Sequence, residues 1–555
     1  MSTLAALHAP GRPLRVGRVG WFCRLMLLTA AVVQLSRILQ VQSSTGEVPF
    51  FSANDRSRWC TIAALAVTGS YEIDDVLEIR DPNTRRRTWY TIDLVRHRGH
   101  DGRQHFYSSK PPLLPTLYTG VYLLIRAVTG ATLMAQPFFV AKVMLVIVNL
   151  LPLVAWWWLL LRWMERKRLP WWALGVTMLF VTWGTFLSTF VTTLNNHLPA
   201  ALAVGVSLWC IDRIVLEGDE RWRWFVLCGL ATSFAGANEL PALSWIAAAA
   251  GILILVSPWR TLGGYVPALL PVGLAFFAAN YAAHGEWIPA YAHRGVGAKL
   301  LEFSAPADVA IEALPVSSVA QHVRASGVEI SDQTSLFPAR RPGVVELWDA
   351  AHERRYALQQ IAPAQPPAAD QQVIGVYEWA DWYDYPGSYW TNQRKQGVDK
   401  GEPRRELYVF HVLIGHHGIF SLTPFWLVSV WGVWVVCRQR SSWLVWRDRQ
   451  LLVTAAITAT SLVAIGFYLA RPLEDRNYGG VASGFRWAFW LAPLWILLAI
   501  NGLRSVRSRG TRRAVELAVL LSIFSACYAW ENPWVSPWLT QLWEVLGQPV
   551  ISAQN

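Results

Sequence analysis

Four groups of residues could do chemistry, and most of them flank long apolar stretches. The first is Asn54-Asp55-Arg56-Ser57-Arg58-Trp59, with Asp55 as a carboxylate able to serve as general base or metal ligand and Arg58 as a cation beside it. A plain helix cap is the structural alternative, since Asn or Asp at a helix start satisfies free backbone N–H groups. The second is His105-Phe106-Tyr107-Ser108-Ser109-Lys110-Pro111-Pro112, in which Lys110 could pair with a phosphate at headgroup depth or simply snorkel. The third is Asn195-Asn196-His197 together with Asn238-Glu239, polar groups at the ends of apolar segments. His197 is the candidate metal ligand, although a lone histidine is more often structural.

The fourth group is made of loops. Asp381, Asp384 and Tyr385 belong to a run from 381 to 390 that mixes carboxylates with aromatics. Such a mixture suits a sugar, whose C–H faces stack on rings while its hydroxyls donate to carboxylates. Glu474-Asp475 lead through Gly479-Gly480 to Arg486-Trp487. The glycines let backbone approach a ligand, and Arg486 could grip a phosphate with its fork of donors. His416-His417 are adjacent; on a helix their side chains would diverge, so they imply no two-histidine metal site.

The elements that must position these residues are membrane helices. Of 555 residues, 53% are hydrophobic and only 15% charged, whereas about 25% is usual for soluble domains. Thirty-two tryptophans fit a chain with many membrane–water boundaries. A span needs roughly 20 apolar residues. About eleven candidates follow: 19–41, 137–161, 171–192, 198–216, 223–238, 242–257, 262–282, 419–437, 450–470, 486–503 and 513–530. The expected fold is an all-α polytopic membrane protein. The net charge of +12 reflects cytoplasmic loops rather than nucleic-acid binding. The six cysteines form no CxxC pair, so neither a disulfide framework nor a zinc knuckle is expected.

The positive-inside rule orders these spans. Arg12, Arg15 and Arg18 place the N-terminus in the cytoplasm, and basic runs at 162–168, 438–449 and 504–513 fall on the same side. Residues 113–130 must then lie in the interface rather than cross, because another crossing would put 162–168 outside. The resulting division is a cytoplasmic 1–18, a transmembrane core 19–282 with an outer loop 42–136, an outer loop region 283–418, further spans in 419–530 and an outer tail 531–555. The plasma (inner) membrane is the expected location, with the site on its outer face.

No GxxxxGK[ST] loop and no GxGxxG after a strand is present, so a nucleotide donor is not indicated. The order of motifs resembles the GT-C glycosyltransferases, in particular the RgtA/B/C/D-like family, the lipid A aminoarabinose transferases and the protein O-mannosyltransferases. Asp55, Arg58 and Trp59 match an Asp-Glu-x-Arg-Tyr pattern after the first span. Lys110-Pro111-Pro112 match Lys-Pro-Pro, and Arg486-Trp487 through Pro493 resemble a late basic-aromatic-proline pattern. The chain departs where Arg56 replaces a second acid and where Asn196 or His197 replaces a later one.

The resemblance implies transfer of a sugar from a polyprenyl phosphate to a lipid, glycan or protein acceptor. Asp55 would be catalytic, and Lys110, Arg486 and Arg58 would hold the donor phosphate. Tyr107, Asn196, Glu239, Asp381, Asp384, Tyr385, Glu474 and Asp475 would line the sugar or acceptor pocket. A divalent metal at His197 is the one cofactor considered. Expected partners are the lipid-linked sugar and membrane lipids, not nucleic acid. A flippase of lipid-linked sugars, or a polysaccharide ligase or polymerase, is the competing expectation.

Overall fold

The computed structural model describes residues 18–339, 343–362, 370–391, 394–439 and 445–547. Arg12, Arg15, Arg440 and the tail beyond 547 lie outside the described residues. The fold is mostly helical. Seven helices are long and apolar enough to cross a membrane: Val19–Leu39, Pro137–Arg166, Trp171–Thr192, His197–Leu216, Pro258–His284, Arg449–Leu469 and Arg486–Ser505. They make this a membrane-embedded protein.

The four other expected spans are less regular. Trp222–Asn238, a helix of 17 residues, and the apolar Leu240–Val256 are just under the crossing length. The 419–437 stretch breaks at Thr423-Pro424, leaving a helix of 13 residues at Trp426–Arg438. At 1.5 Å per residue, 13 residues reach only about 20 Å, short of a hydrocarbon core of about 30 Å. Arg509–Tyr528 is long enough, but Arg509, Arg512, Arg513 and Glu516 occupy its first two turns.

The chain divides into two compact units: 1–41, 142–270 and 401–552 form one, and 42–141 with 271–400 form the other. The first unit is a helical bundle. Its tightest seam joins Trp426–Arg438 to Ala492–Ser505, where Gly432 and Gly502 bring backbones together. The Trp171–Thr192 segment is interrupted at Thr185, whose backbone is extended. Carbonyls freed there are satisfied by Arg37 of α1 (Arg18–Leu39), which donates to Ser188 O (2.8 Å) and Thr189 O (3.1 Å) and also to Trp530 O (2.9 Å). A buried guanidinium has five donors and needs such a set of acceptors.

The second unit gathers the expected outer loop 42–136 and most of the expected outer region 283–418, whose end, 401–418, belongs to the first unit. Helix α2 (Ala53–Val67) begins at Ser52, whose hydroxyl accepts from Asp55 N. Strands β1 (Leu94–Arg98) and β2 (Gln104–Ser108) form a hairpin. The Leu113–Thr129 helix follows Pro112 and ends at Gly130, whose φ of 71° suits glycine. It buries Leu114, Tyr118, Tyr122 and Ile125 and leaves Leu117, Leu124 and Val128 exposed. An exposed apolar stripe is what a helix lying in the interface presents.

The all-α expectation is corrected by the rest of this unit. Strands β3 (Val296–Pro306), β4 (Thr334–Pro338), β5 (Val344–Asp349), β6 (Arg354–Ile361) and β7 (Gln371–Trp379) form one antiparallel sheet in the order β3-β7-β6-β5-β4. Val345, Leu358, Val376 and Leu301 sit in register across four strands. With Phe303, Leu347 and Ile374 they meet Val319 and Val323 of the Val316–Ala325 helix in a small core of their own. Two-residue alternation buries one face of such strands.

Candidate functional site

In the second unit, α2 and the segment before the Leu113–Thr129 helix are pinned together by small polar residues. Ser57 Oγ donates to Asp93 O (2.8 Å) and lies 2.6 Å from Ser108 Oγ. Two residues beyond Ser108, the Lys110 ammonium meets the Asp93 carboxylate at 2.9 Å. The side chain of Asp93 is 6% exposed and that of Lys110 20%. Asp93 is the residue that sequence reasoning missed. Its only signal was a lone acid between Ile92 and Leu94, with no motif around it.

Asp55 is buried in the first turn of α2. Its Oδ1 accepts from Trp59 Nε1 (2.9 Å) and its Oδ2 from Phe51 N (3.2 Å). With the Ser52 cap this forms a reciprocal clasp over the helix start, as a capping box does. Arg58 donates to the Asn54 carbonyl at 2.9 Å and to its side-chain oxygen. Asp55 and Arg58 therefore both shape the N-terminus of α2, which carries Ser57 to Asp93.

Tyr107 opens a run of stacked rings. It lies 4.1 Å from His97, His97 lies 4.0 Å from Trp382, and Trp382 lies 3.5 Å from His293. His97 Nδ1 faces Arg98 O (2.9 Å), which fixes it as the donor, so Nε2 accepts from His284 Nδ1 at 3.0 Å. Burial, above all, pushes the His97 pKa down to about 4, with a further lowering from the His293, His105 and His100 imidazoles. The same cause lowers His293, although Glu286 nearby opposes it.

Because the folded pKa lies below the unfolded value, the neutral ring stabilises the fold above about pH 6.5. That contribution is lost as pH falls from 6.5 toward 4. Purified protein is expected to melt progressively lower across that window, by a contribution of about 3 kcal/mol in all. His97→Phe, which keeps a ring in the stack, is expected to flatten the slope when melting is followed against pH.

The 381–390 loop is held from inside. Asp381 Oδ1 accepts from Tyr383 N (3.0 Å), Tyr385 packs edge-on to Phe106, and the Asp384 carbonyl accepts from Arg355. Tyr383 and Trp382 share a core with Val95, Tyr107 and Ala290. These residues build one surface with β1 and β2, but Asp384 and Tyr385 are buried parts of its framework.

In the first unit, Asn196, His197, Glu239 and Arg486 come together from three helix ends. Glu239 accepts from Asn196 Nδ2 (2.8 Å) and from His197 Nδ1. His197 Nε2 faces Arg486 Nη1 at 2.9 Å, so the neutral imidazole relays the glutamate's charge to the guanidinium. Arg486 lies 5.1 Å over the Trp534 ring and donates through Nε to Gly479 O. The two pocket candidates from the neighbouring loop stand elsewhere: Asp475 pairs with Arg471 (2.6 Å), and Glu474 is exposed.

A metal does not fit His197, because a cation at Nε2 would sit against the Arg486 guanidinium. Among the described residues one trio of donors, Glu72, Asp101 and His105, lies mutually within 4.8 Å. Its histidine already bridges Asp74 (3.3 Å) and Asp101 (3.1 Å), which accounts for the cluster without an ion. His416 and His417 do converge, with their Nδ1 atoms 2.5 Å apart. They occupy the turn before residue 419 and not a helix, so the expected divergence does not apply. All six cysteines are free thiols.

Neither the protein-family models nor the curated proteins searched include a match to this chain.

Proposed function

We propose that this protein is an integral membrane glycosyltransferase that moves a sugar from a polyprenyl phosphate to an acceptor hydroxyl at the outer membrane face. The observation that carries the reading is the buried Asp93–Lys110 ion pair, fixed by Ser57 and Ser108 at the head of a helix with an exposed apolar stripe. A lipid phosphate at headgroup depth would meet the Lys110 ammonium. Charge developing on the departing phosphate would be stabilised there, in a site already emptied of most water. As Lys110 turns to the phosphate, Asp93 loses its partner and becomes a base for the acceptor hydroxyl. The hydroxyl oxygen then bonds to the anomeric carbon, the bond from that carbon to the phosphate oxygen breaks, and the proton passes to Asp93. A single displacement inverts the anomeric centre.

Asp93 is favoured over Asp55 as the base because both Asp55 oxygens serve the helix start. Arg486, oriented by His197 and Glu239, is a second candidate for an anionic group. The test supplies purified protein with polyprenyl-phosphate sugars and follows release of the polyprenyl phosphate. Asp93→Asn is expected to slow transfer by about 10²-fold or more. Asp55→Asn is expected to lower the yield of folded protein but to leave the rate per folded molecule near that of wild type. Wild-type transfer by Asp93→Asn, normalised to folded protein, would remove the role given to Asp93.

A further inference from the structure

Beside the Asp93 segment, the second unit holds an open cavity of about 700 Å³. That size is within the range of small-molecule sites, roughly 300–1,000 Å³. Its lining is unusual for this chain. Arg394, Lys395 and Lys400 contribute three cations, and Tyr90 and Tyr389 contribute two phenol rings. No carboxylate lines it among the described residues. Asp399, on the same loop, accepts from Tyr389 Oη at 2.9 Å and so fixes that ring.

The walls are anchored. Trp390 packs edge-on to its neighbour Tyr389 (5.2 Å) and donates to Ile92 O (2.8 Å). Arg56 donates to Tyr90 O (2.8 Å), and Arg394 donates to Gly387 O (3.0 Å). Ile92 lines the cavity and immediately precedes Asp93, the residue paired with Lys110.

We infer that this cavity binds an anionic saccharide, one that carries carboxylate or phosphate groups on its sugar units. Cations around a cleft concentrate anions within it. The guanidinium fork suits a carboxylate or phosphate, and the flat phenols suit the C–H face of a sugar ring. Neutral sugars would use the rings but gain nothing from three cations. Naming the ligand as the acceptor rests on the glycosyltransferase reading; the preference for anionic sugar does not.

The experiment measures binding of fluorescently labelled tetragalacturonate and of maltotetraose, a neutral sugar of equal length, to the full-length purified protein. Tetragalacturonate is expected to bind at least tenfold more tightly at about 20 mM salt, with the gap narrowing at about 300 mM. Arg394→Glu/Lys400→Glu is expected to remove at least tenfold of that affinity while melting no lower than Arg394→Gln/Lys400→Gln, which loses the same hydrogen bond to Gly387 O. Arg394→Gln/Lys400→Gln is expected to fall between. Equal binding of the two sugars, or unaltered galacturonate binding by the charge-reversed protein, overturns the inference. A short-chain prenyl phosphate that competes with tetragalacturonate for the wild-type cavity also overturns it, since the cavity would then take the lipid phosphate. Selective galacturonate binding by a protein that transfers no sugar from any lipid donor supports the site while defeating the transferase reading. Transfer to maltotetraose at wild-type rate by the charge-reversed variant, with no anionic selectivity, does the opposite.

Discussion

Lys110→Ala is expected to cost both activity and fold. Removing the ammonium strands the Asp93 carboxylate, whose side chain is almost fully buried. Breaking one half of a buried ion pair costs about 3–5 kcal/mol, because the remaining charge has lost its solvent and its partner. Transfer is expected to fall a further ~10²–10³-fold per folded molecule, the usual effect of losing one group that stabilises transition-state charge. Two variants separate the effects. Asp93→Asn/Lys110→Met removes both charges and is expected to recover most of the melting temperature without recovering transfer. Lys110→Arg keeps the charge and is expected to retain stability and part of the rate. Thermal melting and polyprenyl phosphate release, measured on the same preparations, provide the check. A Lys110→Ala protein that melts and turns over like wild type would mean that the pair is ornamental.

Gly432→Ala is expected to break the helical bundle. A Cβ at Gly432 would overlap the Leu498 carbonyl oxygen and stand 3.1 Å from Gly502 N. The obstacle is backbone on a neighbouring helix, so no side-chain rotation relieves it, and the two helices must separate. Overpacking commonly costs about 1–3 kcal/mol where side chains can shift, and this seam cannot shift. A loss of about 3 kcal/mol or more is expected, seen as aggregation or absence of the monodisperse peak in detergent. Gly466→Ala is the control. That glycine also lies within a helix, Arg449–Leu469, but beyond its own helical backbone nothing lies within 4 Å of a methyl placed there. At that position alanine should stabilise by up to about 1 kcal/mol through helix propensity alone. If both substitutions behave alike, the close backbone contact is not what holds this part of the first unit.

Membrane character was legible from the residues alone. Long apolar runs with few charges can bury themselves only in lipid or in one another, and seven of them became helices of crossing length near the expected positions. Local starts were legible too. Pro112 before an amphipathic run set up the Leu113–Thr129 helix, and a helix start near Asn54-Asp55 was legible, although the cap is Ser52 and Asp55 sits in the first turn of α2. Those are effects of near neighbours, which periodicity and caps record. The sheet was only faintly written: residues 344–349 alternate in part, 371–379 bury a continuous run instead, and the surrounding Pro, Gly and Asp hid both among loops.

Which polar residues meet was settled by the packing of the folded chain. Asn196, His197, Glu239 and Arg486 are scattered between positions 196 and 486, yet form one hydrogen-bonded cluster. Lys110 takes Asp93 as its partner, and Asp55 turns inward to its own helix. Pairing across such separations depends on how helices and strands pack. Packing is set by shape summed over many residues, which no short motif can carry.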